Sequence, residues 1–154
     1  MSSLKQVTLG LALVCPAVFG QNAPGPLPDT PAKKVLEKSC ATCHELESVL
    51  GTRRTKIGWQ QSVDDMVARG AEGSDQDLAA IVEYLTTYFG KVNVNTAAAA
   101  DLEKALGLSS AEAKAVIAYR DQNGKIKDFD DLKKVPEVSA EKLQSKRGLI
   151  AYSQ

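Results

Sequence analysis

The chain has 154 residues, carries 19 basic and 19 acidic side chains, and has a net charge of zero. This length suits one domain or two small ones. A neutral chain lacks the excess of basic residues that draws proteins to nucleic acids or acidic membranes, so gross charge predicts neither partner.

The first 20 residues have the pattern of a secretory signal peptide. Lys5 supplies a basic start, and an apolar run follows from 7 to 19. The run is too short to span a bilayer. We therefore expect an exported bacterial protein, periplasmic or secreted, with no stable membrane insertion after cleavage and with Cys15 lost in the leader. Residues 21–29 are rich in proline and glycine and predict a flexible tether.

A C-x-x-C-H motif lies on the first predicted helix, which starts at Thr30-Pro31, an N-cap followed by proline. The motif is Cys40-Ala41-Thr42-Cys43-His44, the attachment signature of haem c. Residues three and four apart share a helix face, so both thiols and the imidazole point the same way. We predict one haem c, bound covalently by Cys40 and Cys43, with His44 as the proximal axial ligand of its iron.

Two other uses of this motif fit less well. A thioredoxin-type C-x-x-C lies in a βαβ pattern, and none surrounds it. A structural zinc site takes four cysteine or histidine ligands, whereas His44 is the only histidine and Cys15 belongs to the leader. We therefore assign Cys40 and Cys43 to haem.

A candidate for the distal axial ligand lies on the second predicted helix, 59–69. An apolar stripe at helical spacing comprises Trp59, Val63, Met66 and Val67. Core packing is the ordinary role of a methionine in such a stripe. Because there is no second histidine, the distal ligand is Met66, a lysine, a tyrosine or water, and we favour Met66. A third helix is predicted from Ser74 or Asp75 to the residue before Gly90.

Three further side chains near this stripe are candidates for contact with the haem. Trp59 either packs against the ring edge or anchors the core. Arg53 and Arg54 either pair with the haem propionates or belong to a solvated charged face, which is the ordinary role of such a run.

After Gly90 the sequence predicts two helix–turn–helix units, which form an internal repeat. Strand signals are poor apart from Val92-Asn93-Val94. The predicted helices extend from a Thr96 cap to Leu106, from Ser110 to Gln122, from Asp130 to Val135, and from the turn at Ser139 to Ile150.

The back half resembles a tandem helix-hairpin-helix domain of the competence DNA receptor (ComEA-like) family. The resemblance is carried by VNVNTAAAADLEKALGLSSAEAKAVIAYRDQNGKIKDFDDLKKVPEVSAEKLQSKRGLI. That family implies two glycine–apolar–glycine turns whose backbone amides bind DNA phosphate. Here the first turn has Gly107 and Ser109, and the second has Glu137 and Ser139 in place of both glycines. Each Cβ crowds the backbone, and Glu137 adds a carboxylate where phosphate approaches.

The charge of the back half also disfavours DNA as its partner. From residue 93 onward there are ten Lys or Arg against nine Asp or Glu, and binding driven by phosphates needs a concentrated basic surface. Four basic residues either form a local basic patch or belong to a solvated face: Lys114, Arg120, Lys125 and Lys127. We therefore expect a docking or structural module, with DNA as the less favoured partner.

The front half is similar to single-haem, class I-type cytochrome c domains. The resemblance implies helices around one haem with an exposed edge, and outer-sphere electron transfer to an exported dehydrogenase or another cytochrome through small, transient contacts. We thus predict an all-α fold, with a small cytochrome c domain at residues 30–90 and a tandem helix-hairpin-helix domain at 91–154.

The main functional hypothesis is an exported electron carrier, not an enzyme, whose helix-hairpin-helix module docks it to a redox partner. The alternative is an exported, competence-like DNA-binding protein whose haem is structural or redox-sensing. An enzyme with an open sixth position that reacts with oxygen or peroxide ranks third, since no distal histidine or arginine arrangement is recognisable.

Overall fold

The computed structural model describes residues 27–153. The predicted signal peptide, Cys15 and the tether up to residue 26 lie outside the described residues. The prediction of a mainly helical chain is confirmed. The elements are α1 (Pro31–Cys40), α2 (Glu47–Leu50), α3 (Lys56–Ala68), α4 (Asp75–Phe89), β1 (Val92–Asn93), α5 (Ala99–Leu106), α6 (Ser110–Asn123), α7 (Phe129–Leu132), α8 (Ala140–Ser145), a 3-10 turn (Arg147–Leu149) and β2 (Ile150–Ala151). Within residues 27–153, every helix is too short or too polar to cross a lipid bilayer.

Side-chain caps determine where the helices of the first half begin. The Thr30 hydroxyl accepts a hydrogen bond of 3.2 Å from a first-turn amide at the predicted start of α1. A capping box between Ser74 and Asp77 starts α4, also as predicted. In contrast, α3 begins at Lys56, earlier than expected, because the Thr55 hydroxyl accepts a hydrogen bond of 3.1 Å from a first-turn amide.

The first half forms its own hydrophobic core, in which α4 packs against α1 and α3. This front core comprises Leu36, Trp59, Val63, Ile81, Val82, Tyr84, Leu85 and Phe89. Most of its members come from α4, whose apolar residues recur at helical spacing. The short helix α2 lies between α1 and α3, and its partly buried Val49 and Leu50 pack against this core.

The second half forms a second core of buried apolar side chains. This back core comprises Val92, Val94, Leu102, Leu106, Leu108, Ala113, Val116, Ile126, Phe129, Leu132, Val135, Val138, Leu143 and Ile150. Its members come from every helix of the second half and from both strands. The repeated helix–turn–helix units therefore bury their apolar faces against each other.

Asn95 joins three segments of the second half. Its side-chain amide donates hydrogen bonds to the carbonyls of Ile126 (2.8 Å) and Tyr152 (2.9 Å), and its Oδ1 accepts one of 2.8 Å from the Ile126 amide. Nearby, the Arg120 guanidinium donates to the Val94 carbonyl at 2.8 Å. Arg120 therefore holds the backbone of the second half and does not join the basic surface patch that the sequence predicted for it.

Three predicted helix boundaries of the second half are wrong. The helix predicted to end at Val135 ends at Leu132, where the chain enters a turn. The last helix ends at Ser145, not Ile150, and the chain then enters β2, which pairs in parallel with β1. The helix expected after a Thr96 cap starts only at Ala99, because the Thr96 amide donates a 3.1 Å bond to the Asn93 carbonyl in a turn.

A short junction at Gly90 joins the two cores. The Lys91 amide donates to the Arg54 carbonyl at 2.8 Å, and the Arg54 amide donates to the Phe89 carbonyl at 3.2 Å. The Trp59 indole N–H donates to the same Phe89 carbonyl at 3.1 Å. A Cβ at Gly90 would lie 2.1 Å from a backbone oxygen of α4, so no other residue fits there. The junction, referred to below as the Gly90 junction, is therefore fixed by hydrogen bonds to the start of α3.

Candidate functional site

The first hairpin links α5 to α6 through Gly107, Leu108 and Ser109. Gly107 adopts the left-handed conformation with a φ of 67°, which favours glycine. Leu108 is buried in the back core, while Gly107 and Ser109 are exposed. The Ser109 hydroxyl caps α6 by accepting a 3.2 Å hydrogen bond from the Glu112 amide. The turn thus presents its backbone to solvent and anchors itself by one apolar side chain.

The second hairpin, between α7 and α8, has a longer connection, residues 133–139, but also places a left-handed residue two positions before the N-cap of its second helix. Glu137 has a φ of 66° and is, within residues 27–153, the only non-glycine residue with a positive φ. Val138 is buried, as Leu108 is. The Ser139 hydroxyl caps α8 by accepting a 3.3 Å hydrogen bond from the Lys142 amide. The positions that correspond to glycines in the predicted family are therefore occupied by residues with side chains, and the first of them is still left-handed.

A salt bridge joins the two hairpins. The Lys142 ammonium lies 2.8 Å and 2.9 Å from the two carboxylate oxygens of Glu112. Glu112 also accepts a 2.7 Å hydrogen bond from the Ser109 amide, which completes a capping box. These contacts lower the pKa of Glu112 to about 2, and the hydrogen bond from Lys142 contributes most to this shift. Because each residue is the third of its helix, the bridge holds the two turns side by side.

The first hairpin has the chemistry to bind an anion. The first turn of a helix leaves N–H groups without partners in the helix, and the helix dipole places partial positive charge there. The Ser109 hydroxyl occupies only one of these N–H groups in α6. At the second hairpin the exposed Glu137 carboxylate adds negative charge at the turn itself. The two turns therefore differ in charge although each contains a left-handed residue.

Several basic side chains of the second half are neutralised by carboxylates. Lys133 pairs with Asp130 at 2.7 Å, and Lys134 pairs with Asp131 at 2.8 Å. Other exposed basic side chains of the second half lie outside these pairs, namely Lys104, Lys114, Lys125, Lys127, Lys146 and Arg147. Of the predicted patch, Lys114, Lys125 and Lys127 remain on the surface, and the exposed positive charge is spread over both hairpin units.

A cavity of about 510 Å³ opens beside the front core. Its apolar wall includes Leu36, Val63, Leu78, Ile81 and Leu85. Of the residues predicted to hold a haem, it brings together Cys40, His44, Trp59, Met66 and Arg54. A volume of this order is typical of sites that enclose a small organic ligand.

The reactive side chains at this cavity differ in exposure. Cys40 is half-buried, and burial raises the pKa of its thiol, while Cys43 is exposed and is not part of the wall. The imidazole Nδ1 of His44 lies 3.3 Å from the Glu45 carbonyl and 3.5 Å from the Ser48 hydroxyl. If Nδ1 makes these contacts, Nε2 is left as the nitrogen that can bind a ligand.

The guanidinium groups of Arg53 and Arg54 lie at different sites, one in a separate groove and one at the cavity. The Arg54 guanidinium lies 5.8 Å from the centroid of the Trp59 ring, at the cavity. The Arg53 guanidinium instead donates a 3.2 Å hydrogen bond to the Tyr88 carbonyl and lines a separate groove. Between the two, only Arg54 is positioned at the cavity where a propionate was predicted. Among residues 27–153, no group of three or more His, Cys, Asp or Glu side chains is arranged to hold a metal ion.

Comparison with known proteins identifies the back half. Residues 88–151 match the family described as "Helix-hairpin-helix motif". The chain is 37% identical over 75 residues, 49% of its length, to 9% of "Protein tex" of Bordetella pertussis. It is 40% identical over 57 residues, 35% of its length, to 28% of "ComE operon protein 1" of Bacillus subtilis. The chain thus spans less than a third of either relative, and no solved structure matches it.

These comparisons confirm the helix-hairpin-helix domain and correct the main functional prediction. Neither the matching family nor either relative is a cytochrome. The prediction of an electron-transferring cytochrome is therefore wrong as the account of this chain. The matches favour the alternative hypothesis over the main one. The covalent attachment of haem at Cys40 and Cys43, with His44 as proximal and Met66 as distal ligand, stays a prediction.

Proposed function

We propose that this chain is an exported DNA-binding protein that contacts phosphates through its helix-hairpin-helix domain. The observation that carries this proposal is the match of residues 88–151 to the helix-hairpin-helix family, together with the exposed Gly107–Ser109 turn. Export is supported by the similarity to the ComE operon protein and by the leader-like first 20 residues.

Binding at the first hairpin follows from the conformation of its backbone. The left-handed Gly107 has nothing within 4 Å of the position where a Cβ would stand, so a phosphate can approach the chain closely. The unpaired N–H groups at the start of α6 donate to phosphate oxygens, and the helix dipole adds attraction. Such contacts position the nucleic acid without reading its sequence.

The small excess of positive charge in the second half, ten Lys or Arg against nine Asp or Glu, bears on the strength of binding. Lys114, Lys125 and Lys127 are exposed, whereas Lys133, Lys134 and Lys142 pair with carboxylates. Because counterion release scales with the number of phosphates neutralised, we expect modest affinity and a shallow dependence on salt concentration. A site of modest affinity favours transient binding of a DNA strand over permanent binding.

The proposal is tested by fluorescence anisotropy with the full exported chain and labelled DNA at two salt concentrations. Ser109→Asp retains a good N-cap residue while it places a carboxylate at the first hairpin, so we expect a loss of affinity of about tenfold or more, in line with the repulsion of phosphate. The matched control is Gln76→Glu, which adds the same charge on an exposed position of α4. Equal affinity for the wild type and Ser109→Asp would contradict the proposal.

We further propose that the front cavity holds a haem c as a structural or redox-sensing group. Cys40, His44 and Met66 in one apolar cavity support this, and the exposed Cys43 follows in the attachment motif. Such a group supplies apolar surface and a redox-active centre when bound. Here His44 offers Nε2, and Arg54 lies at the cavity as a partner for a carboxylate.

The haem proposal is tested by expressing the chain with the machinery for cytochrome c maturation and by staining a denaturing gel for haem. Covalent attachment keeps the stain on the protein band, and Cys40→Ala with Cys43→Ala abolishes it. Ser39→Ala is the matched control, since it changes a cavity residue beside the motif without removing a thiol. Absence of stain from the wild type would contradict the proposal and leave the DNA-binding proposal untouched.

A further inference from the structure

A groove of about 660 Å³ lies where the two halves of the chain meet, beside the Gly90 junction. One wall comes from the start of α3 and the end of α4, and the other comes mainly from β1, α5 and the segment between them. Of the residues predicted to hold a haem, only Arg53 lines this groove, and neither hairpin turn belongs to it. The functions proposed above therefore do not use it.

Basic side chains dominate the charge of this groove. Four of its lining residues are basic and two are acidic: Arg53, Lys56, Lys91 and Lys104 against Glu83 and Asp101. Lys56 and Glu83 form a 3.2 Å pair in which each side chain is 67% exposed, and such an exposed pair is weak. The ion pairs among residues 27–153 include none of Arg53, Lys91 and Lys104. Within this part of the chain, three unpaired cations thus line the groove against one unpaired carboxylate, that of Asp101.

Two of these cations are held in place by the Gly90 junction. Arg53 precedes Arg54, whose carbonyl accepts the 2.8 Å hydrogen bond from the Lys91 amide, so the two backbones lie side by side. The Arg53 guanidinium donates a 3.2 Å hydrogen bond to the Tyr88 carbonyl, which engages one of its five N–H donors. Because these attachments exist in the folded chain, a ligand that meets both side chains has less of the protein to order on binding.

The third cation connects the groove to the helix-hairpin-helix domain. Lys104 is exposed in the last turn of α5, three residues before Gly107 of the first hairpin. At a rise of about 1.5 Å per residue, three helical residues cover roughly 5 Å. A DNA strand held at that turn therefore reaches the edge of the groove within a few nucleotides.

We propose that this groove is a second phosphate-binding site, in which Arg53, Lys91 and Lys104 contact the backbone of the DNA bound by the helix-hairpin-helix domain. The proposal rests on the proposed DNA binding and extends it to a surface that both halves of the chain build. A concave surface of one predominant charge focuses its field on a bound anion. A cationic groove follows a phosphodiester backbone without reading its sequence. The front half then contributes to DNA binding directly, independently of any ligand in its cavity.

The test measures the affinity and the salt dependence of DNA binding by anisotropy, with the full chain and its variants. Lys91→Gln with Lys104→Gln should weaken binding about tenfold and reduce the slope of log K against log salt by about one for each lysine lost, equally for probes of different sequence. Lys91→Arg with Lys104→Arg keeps both charges and should bind as the wild type does. The matched control is Lys34→Gln with Lys38→Gln, which removes the same charge from two exposed residues of α1 outside the groove and should change the affinity less than twofold.

Asp101→Asn should change the affinity in the opposite direction. It removes the unpaired carboxylate of the groove, so we expect binding to tighten about threefold. Its control is Glu72→Gln, at an exposed position outside the groove, which should leave the affinity unchanged.

Equal losses in the two double glutamine variants, or an unchanged salt slope without Lys91 and Lys104, would overturn the groove while the effect of Ser109→Asp upheld the proposed function. Binding of no DNA by the wild type at low salt would overturn both. A labelled oligoglutamate that binds more tightly than DNA, and that is lost with the same two lysines, would overturn the assignment to DNA in favour of an acidic protein partner.

Discussion

The buried side chains of the back core pack against each other, whereas several side chains of the front core border a cavity. The buried side chains of the second half come from four helices, two strands and the loops between them, and Asn95 joins three of these segments by hydrogen bonds. In the first half, Leu85 and Ile81 are buried and yet border a space of about 510 Å³. From this difference we expect a ligand that fills the cavity to stabilise the first half more than the second.

A matched pair of leucine truncations should show the largest difference between the two cores. Leu102→Ala empties a fully buried site in the closed core and should lower the free energy of unfolding by about 4 kcal/mol. Leu85→Ala, at the wall of the existing cavity, should cost about 2 kcal/mol in the haem-free chain, because fewer packing contacts are lost. Urea denaturation followed by circular dichroism measures both. Equal losses would mean that the two cores are packed alike.

The side-chain hydrogen bonds of Asn95 should contribute nearly as much to the stability of the second half as the Leu102 side chain does. Asn95→Ala removes three hydrogen bonds and leaves two carbonyls and an amide without these partners, so we expect a loss of about 3 kcal/mol. Asn123→Ala is the control, because this exposed side chain makes one local bond to the Tyr119 carbonyl and should cost less than about 1 kcal/mol. Thermal unfolding of the two variants under one condition gives the comparison. A small effect at Asn95 would show that the core closes without it.

Glu137→Gly should stabilise the second half by about 1 kcal/mol, because glycine adopts a φ of 66° without strain. The same substitution at Glu141, in the first turn of α8, should instead destabilise by roughly 0.5–1 kcal/mol. Opposite signs at two glutamates four residues apart therefore identify backbone conformation, not charge, as the cause. Two changes of the same sign in chemical denaturation would argue against strain at Glu137.

The smallest expected effect comes from the salt bridge between the hairpins. The pKa of Glu112 is lowered to about 2, chiefly by Lys142, from a usual value of 4.5. Its contribution to stability is therefore fully present above the usual value and is lost as the pH falls from there through about 2. Unfolding midpoints recorded across this range should drop more steeply in the wild type than in Glu112→Gln. Parallel curves for the two proteins would show that the carboxylate does not contribute.

Local signals in the sequence were enough to predict the helical class and the caps. Thr30-Pro31 and Ser74 each start a helix where the sequence indicates, because an N-cap acts within one turn. The tandem hairpins were likewise recognisable from the repeat and from Gly107. These features depend on residues close together in the chain, which is why a single sequence reveals them.

Features that depend on distant contacts were missed. Pairing of β1 with β2 ends the last helix at Ser145, and Arg120 turns inward to reach the Val94 carbonyl. The left-handed φ of Glu137 was also not apparent, because glutamate rarely adopts it and only the surrounding turn enforces it. A comparison of this turn with the first hairpin was the available signal.

The C-x-x-C-H motif shows how far a short pattern can be extended. The motif predicts an attachment chemistry at Cys40 and Cys43, and the cavity beside Cys40 is consistent with it. The motif alone does not predict an electron-carrying cytochrome, because the residues that match a known family lie in the back half. Five residues can indicate a cofactor, whereas the role of a chain depends on all of its domains.

The Gly90 junction has a mechanical consequence. If nucleic acid binds at the first hairpin as proposed, a pull on it enters the back core and reaches β1, which pairs with β2. The backbone hydrogen bonds of Lys91 and Phe89 with Arg54 then transmit the force to the residues that precede α3. Tension on the strand would therefore be felt at Trp59, in the wall of the front cavity.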